Sequence, residues 1–497
     1  MSAEFDFSDV QGLLRFGYKH HTESAFALLR VRNHAAARAW LASAPVGTAA
    51  KGALPKTVLQ IAFSAEGLRE LGVPAQVTQA FAPEFVAGLG TDPNRARRLG
   101  DVGDNDPSRW EWGGPAGDDM PHVLVMVFAL PGQLAAFGRA LETHWAVPFE
   151  LMRWLATTDM DGVEPFGFTD GISQPEIDWN RELPAEDHDS LAYRNLSCLG
   201  EFLLGYPNEY GRYTARPLLD PAVPAAAHLP RAEDAPDRAD LGRNGSYLVL
   251  RTLRQDVPRF WHFLHAQAGG DAAERQRIAE AMVGRKMDGQ SLVAPTPDTI
   301  VGVDADERAR NGFTFDDDKA GLRCPVGAHI RRANPRNADL PAGTQGLISR
   351  AVRILGFDSG ALHEDAVASV RFHRVLRRGR EYGRRMSPAE ALAVNSGPAA
   401  EAGLHFVCLC ADLARQFEFV QGAWIAGTKF AGLPHESDPL LGNRLSAPDE
   451  PDTARFTMPR AGCPSRVVEG LPTFIDVVGG AYFFLPGVRA LRYLVTS

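Results

Sequence analysis

Apolar positions along the chain fall into strand-length runs that alternate with stretches of helical period. Residues 25–31 (AFALLRV) form one such run, and Asn33 suits a helix N-cap ahead of an alanine-rich helix through Trp40 and Leu41. The pattern returns at 58–63 (VLQIAF), where Ser64 can cap a helix carrying Leu68 and Leu71. It returns again at 123–130 (VLVMVFAL), ahead of a helix with Leu134, Phe137 and Leu141 on one face. A second series opens at 247–253 (YLVLRTL), with an amphipathic stretch around Phe260, Phe263 and Leu264, and continues at 405–410 with the segment 412–421 behind it.

Between the two series, 216–240 carries Pro217, Pro221, Pro224, Pro230 and Pro236 among scattered charges, a linker-like composition. It predicts an N-terminal domain over 1–240 and a C-terminal domain over 241–497. No G-x-G-x-x-G follows any of the strands, so dinucleotide binding on a doubly wound parallel sheet is not indicated. The expected class is α+β: two antiparallel sheets, each with helices on one face.

Composition supports two cores, with 45% hydrophobic and 23% charged residues. The formal charge of −9 opposes binding to nucleic acid or to an anionic membrane surface. The apolar runs are well short of the ~18 residues of a membrane span. The start, MSAEFDFSDVQ, has no basic region followed by an apolar core, so no export signal is readable. Five cysteines with no C-x-x-C pair suggest neither a disulfide framework nor a zinc ribbon, and a cytoplasmic location is expected.

Three segments could carry chemistry. Residues 167–175 (GFTDGISQP) set Asp170 between glycines, which let a backbone pass close to a bulky ligand; alone, an Asp-Gly pair reads as a hairpin turn. Residues 324–336 (CPVGAHIRRANPR) place His329 among small residues, with Arg331, Arg332 and Arg336 beyond it. An imidazole that ligates a metal while cations meet anionic groups nearby is one way to hold a haem and its propionates, Arg331 being the first such cation; a hydrogen-bonded core histidine is the bland alternative. Residues 371–383 (RFHRVLRRGREYG) are strongly basic, and strand alternation sends Val375 and Arg377 to one face, Leu376 and Arg378 to the other. A solvated edge strand would look similar.

Taken together and in order, these segments resemble the dye-decolourising peroxidase family, marked by a G-x-x-D-G loop, an A-H-I-R-x-x-N-P-R segment and an L-R-R-G-x-x-Y-G segment. The likeness extends to 9–12 (DVQG), 244–247 (NGSY), 283–286 (VGRK) with Asp288-Gly289, and 479–484 (GGAYFF), as in the longer-chain members. It implies two ferredoxin-like domains, each a four-stranded antiparallel sheet with peripheral helices, and one haem b per chain, held mainly by the C-terminal domain. His329 would be the proximal iron ligand, Asp170 the distal acid–base group and Arg377 the distal cation, with Arg378 in its place if the register slips by one. Asp438 best matches the family's acidic partner of the proximal imidazole, with Glu436 and Glu418 left open. Leu404 and Phe406 would form an apolar distal ceiling with His405 facing away. Gln174 stands where many relatives have asparagine, and Gly379 where some have a polar distal side chain.

The implied activity is reduction of hydrogen peroxide and one-electron oxidation of bulky dyes, phenols or other aromatic reductants through a ferryl intermediate, with an acidic pH optimum. The alternative is a haem-binding or iron-handling protein without peroxidase turnover. Neither nucleic acid nor membrane is an expected partner, and a homo-oligomer is left open.

Overall fold

The computed structural model describes residues 5–115, 117–183, 195–295, 305–336, 370–394, 401–444 and 453–496. In the first half, β1 (Glu23–Val31), α1 (His34–Ser43), β2 (Thr57–Phe63), β3 (Val123–Ala129), α2 (Leu134–Trp145) and β4 (Phe149–Ala156) succeed one another, with short helices between β2 and β3. Across the sheet these strands lie in the order β4-β1-β3-β2. The predicted caps form: Asn33 accepts from the N–H of Ala36 and Ser64 from that of Gly67.

The second half repeats the plan with β5 (Ser246–Gln255), α3 (Val257–Gln267), α4 (Ala272–Val283), α5 (His329–Ala333), β6 (Leu376–Arg377), β7 (Arg380–Gly383), β8 (Ala402–Cys410), β9 (Ile475–Leu485) and α6 (Val488–Thr496). Its order is β6-β8-β5-β9, with β7 also paired to β8. Each half therefore has the strand order of a ferredoxin-like unit, and the outer strand of the second is split at Gly379. There a side chain would meet the carbonyl of His405 at 2.6 Å.

The two sheets are not separate. β9 meets β2 through the pair Phe484 and Phe63, and one antiparallel sheet of nine strands runs through the molecule. Both strands are edges of their own halves and apolar on both faces, so joining them buries edges that would otherwise face water. Leu59, Ile61, Val125, Val249 and Phe484 point to one face, where α1, α2, α3, α4 and α6 supply Leu41, Leu141, Phe260, Ile278 and Leu494. Alternate residues, among them Phe26, Leu124, Leu248 and Phe483, point to the other face, covered by Leu13, Leu14, Leu199 and Phe202 from irregular segments.

The proline-rich stretch 216–240 is packed, not an open connector. Buried Arg216 donates to Asp240 Oδ2 at 2.6 Å and also pairs with Asp234. The segment behind β8 is helical as expected, but wound as π-helix over Ala414–Glu418 and Val420–Ile425. Such winding favours functional sites, and here it turns Phe417, Val420 and Ile425 toward a cavity.

Candidate active site

The cavity lies on the helix-bearing face of the second half of the sheet. β5 and β8 supply Leu253, Leu404 and Phe406 to its walls. Because alternate residues of a strand share a face, Leu404 and Phe406 face the cavity together while His405 turns away. The His405 ring stacks on Tyr382, and its Nε2 lies 3.1 Å from the carbonyl of Ala156. Burial pushes His405 down to about 4.

One end of the cavity is built by the loop from the first half. The carboxylate of Glu164 accepts from the N–H groups of Phe166 and Phe168, both at 3.0 Å, and from Gln255 Nε2 at 2.7 Å. Burial pushes this carboxyl up to about 7. Thr169 ties the loop to the carbonyl of Met287, and Asp170 N–H donates to that of Gly162. Gly167 has φ of 101°, a region closed to most side chains. The loop thus holds Asp170 at the cavity wall.

β6 brings Arg377 to the same place. Its Nη1 donates to Asp170 Oδ1 at 3.0 Å, its Nη2 to the carbonyl of Ser173 at 3.2 Å, and its N–H to Gln174 Oε1 at 2.9 Å. Burial alone would raise the Asp170 carboxyl, but the Arg377 guanidinium and the Gly171 N–H outweigh it and hold the group below its ordinary value. Arg378 points to the opposite face and donates to the carbonyls of Leu13 and Leu14. The strand register therefore puts Arg377, not Arg378, in the cavity.

Across the cavity, α5 begins at His329. Its Nδ1 donates to Asp438 Oδ2 at 2.9 Å, and Asp438 Oδ1 accepts from the N–H groups of Leu440 and Leu441. Asp438 is fully buried; burial raises its carboxyl, yet the imidazole beside it leaves it below the usual range. His329 lines the cavity, and its Nε2 makes no hydrogen bond among the described residues. Glu436 instead binds the N–H and hydroxyl of Thr457, and Glu418 pairs with Arg95 and accepts from the Tyr482 hydroxyl. Neither carboxylate contacts His329.

Arg331 does not line the cavity. Its guanidinium is buried against Asp318, with Nη1 donating to the carbonyls of Asp318 and Cys324 at 2.9 and 2.8 Å. Two residues along a helix is a turn of about 200°, so a cation at that spacing faces away from the histidine. Besides Arg377, the cations that reach the wall are Arg285 and, from the two motifs, Arg336 at the end of the histidine motif and Arg374, three residues before Arg377. Arg336 and Arg374 stood in the basic runs of the sequence, but a run alone does not say which member faces inward. Glu164, Gln255 and Phe417 also line the cavity and carried no signal of their own in the sequence.

The donors suit a haem. Among the described residues no cluster of three or more histidine, cysteine or acidic side chains could hold a bare metal ion. A single imidazole with its other nitrogen fixed, facing an apolar-walled cavity with cations at its margin, matches an iron whose in-plane ligands come from a porphyrin.

No family model matches the chain. Among individual proteins, it is 28% identical over 459 residues to a multifunctional dye peroxidase of an Amycolatopsis species, spanning 88% of this chain and 82% of that one. It is 28% identical over 520 residues to a dye-decolorizing peroxidase of Mycetinis scorodonius, spanning 100% and 88%. A crystal structure of a fungal DyP-type peroxidase from Auricularia auricula-judae superposes with a TM-score of 0.71 at 23% identity, covering 99% of each chain. A dye-decolorizing peroxidase in complex with 2,6-dimethoxyphenol gives 0.70 at 22% identity, covering 99% of this chain and 100% of that one. Along its whole length the chain is similar in sequence to dye-decolourising peroxidases and shares the fold of solved DyP-type peroxidases.

Proposed function

We propose that the protein is a haem peroxidase that reduces hydrogen peroxide and oxidises dyes, phenols and related aromatic reductants one electron at a time. The observation that carries this reading is the facing arrangement of two pairs, Asp170 with Arg377 and His329 with Asp438, across one cavity. A protein that only stored or carried haem would have no use for the first pair. The phenol bound by the relative's structure belongs to the reductant class proposed here.

His329 Nε2 would hold the iron of one haem b per chain, and Arg336 and Arg374 would meet its propionates. Bound haem supplies the iron at which the peroxide O–O bond is broken and from which two oxidising equivalents pass to the reductant. The protein's part is proton transfer and charge. Ionised Asp170 would take a proton from the bound peroxide and return it to the departing oxygen, which would leave as water. Arg377 keeps Asp170 ionised and stabilises negative charge on the departing oxygen. Asp438 fixes the His329 ring and strengthens it as a donor. Leu404, Phe406 and Phe417 keep the cavity apolar, which strengthens each of these interactions.

Because Arg377 holds the Asp170 carboxyl low, the base persists in mildly acidic solution, and an acidic pH optimum follows. Five free thiols, one of them exposed at Cys463, fit a reducing compartment, and we place the protein in the cytoplasm. No helix among the described residues is long and apolar enough to cross a membrane.

The test is the absorption spectrum of haem-loaded protein and of His329→Ala, before and after one equivalent of hydrogen peroxide. A Soret band that changes rapidly with peroxide in the wild type, and is weakened or lost in the variant, is expected. Haem bound through His329 with no rapid peroxide reaction would instead mean haem handling.

A further inference from the structure

Glu164 sets an acidic side chain in the cavity wall, and the mechanism above makes no use of it. Among the described residues it forms no ion pair, and the three groups that donate to it are all neutral. An acid in an apolar wall is costly unless its oxygens are satisfied, and here both are. Oε1 accepts from the N–H of Phe168 at 3.0 Å, and Oε2 accepts from the N–H of Phe166 at 3.0 Å and from Gln255 Nε2 at 2.7 Å.

Two of these donors close a loop. The N–H of Glu164 donates to the carbonyl of Phe168, and that of Gly167 to the carbonyl of Glu164, both at 2.8 Å, so the carboxyl fills the inside of the turn 164–168. Val163 and Thr169 pair as an antiparallel bridge at its neck, and the N–H of Asp170 donates to the carbonyl of Gly162 at 3.0 Å. Asp170 is therefore the first residue beyond the neck, and its direction follows from how the loop closes. The third donor belongs to the other half of the molecule. Gln255 ends β5, the strand whose Leu253 lines the cavity, and is buried. Its bond to Glu164 latches the first-half loop to the sheet that carries Arg377. Packing of Phe166 on Phe260, 4.4 Å between ring centres, holds the loop down but sets no direction, whereas hydrogen bonds do.

We infer that Glu164 is a positioning residue: its carboxyl group closes the 164–168 loop, latches it to Gln255 and so holds Asp170 against Arg377 for the reaction with peroxide. The inference rests on the haem reading above. Three donors need the two acceptor oxygens of an acid. An amide of the same shape keeps one oxygen and turns an N–H2 group toward one of the donors, which opens the loop at its neck. Asp170 serves only within hydrogen-bond reach of the peroxide, and a displacement of about 1 Å costs up to about 10²-fold in rate.

The experiment pairs a crystal structure of Glu164→Gln with stopped-flow reaction of holoprotein with peroxide, for wild type and Glu164→Gln, each also in the Asp170→Asn background. In the crystal the Asp170 Oδ1 to Arg377 Nη1 distance, 3.0 Å here, should lengthen past hydrogen-bond range. The peroxide rate should fall about 10–100-fold in Glu164→Gln, with no further loss when Asp170 is already asparagine. A loss of equal size in both backgrounds would make Glu164 a general support of the cavity and overturn the proposal, as would an unchanged rate or an unmoved Asp170. Should Glu164→Gln not fold, Gln255→Leu takes its place: it leaves both backbone donors and removes only the latch, so a loss of about threefold to tenfold is expected, again only where Asp170 is present, and no loss refutes the proposal. A wild type that binds no haem overturns the haem reading alone, because the crystallographic distance decides the positioning role without haem.

Discussion

Replacing Arg377 by leucine separates folding from chemistry. The two charges, about 4 Å apart between centres, would interact by about 4 kcal/mol at an effective dielectric constant of 20. Both side chains are 34% exposed to the cavity, however, so solvent screens the resting pair. Its contribution to stability is then about 1 kcal/mol or less. The departing oxygen makes a stronger demand, because charge develops there within apolar walls. Loss of one such donor costs about 10²–10³-fold in rate, or about 2.7–4 kcal/mol. Without the guanidinium the Asp170 carboxyl also rises, so the acid limb of the pH profile should move to higher pH. The assay is stopped-flow reaction of holoprotein with peroxide between about pH 4 and pH 7, beside a thermal melt. The expected outcome is a loss of about 10²–10³-fold in kcat/KM for peroxide that deepens as pH falls. A loss under about tenfold with an unmoved pH profile, or a collapse of the melt, would refute the assignment.

Arg378→Met should leave peroxide kinetics within about twofold, yet cost about 1–3 kcal/mol of stability in urea unfolding, because the carbonyls of Leu13 and Leu14 lose their buried donor. Arg331→Met should cost about 3–5 kcal/mol by leaving buried Asp318 without its cation, while haem affinity, measured by titration, stays unchanged. Asp438→Asn should keep haem but slow the peroxide reaction by about 10–100-fold, followed at the Soret band. His405 is held neutral, so the unfolded chain gains a proton that the fold refuses: stability should fall as pH drops from about 6.5 toward 4, by up to about 3 kcal/mol, and His405→Gln should flatten that slope in melts across the range.

The residues that were legible in the sequence are those whose position is set locally. Asp170 stands between two glycines that force its loop, and Arg377 and Arg378 are neighbours on a strand whose alternation separates them. Leu404 and Phe406 share a face for the same reason. The strand and helix pattern likewise foretold antiparallel sheets with helices on one face, since each buried strand is a nearly continuous apolar run, while the ferredoxin-like plan came from the family resemblance. What the sequence could not show depends on helical phase or on distant pairing. Arg331 lies on the far side of a five-residue helix whose start no pattern marks. The join of the two sheets rests on one pair, Phe63 with Phe484, far apart in the chain. The π winding of residues 414–425 is likewise invisible to a search for ordinary helical period. Glu164 was a single acid upstream of a motif until its three donors were seen to converge on it.

Asp170 and Arg377 come from different halves of the molecule, 207 residues apart in the chain. His329 and Asp438 both belong to the second half. The groups that would grip iron therefore lie within one half, while the base and cation that would act on peroxide meet only across the join of the two. A molecule whose first-half loop has come away would keep His329 and Asp438 together yet lose the Asp170–Arg377 pair, so it could hold haem without opening peroxide.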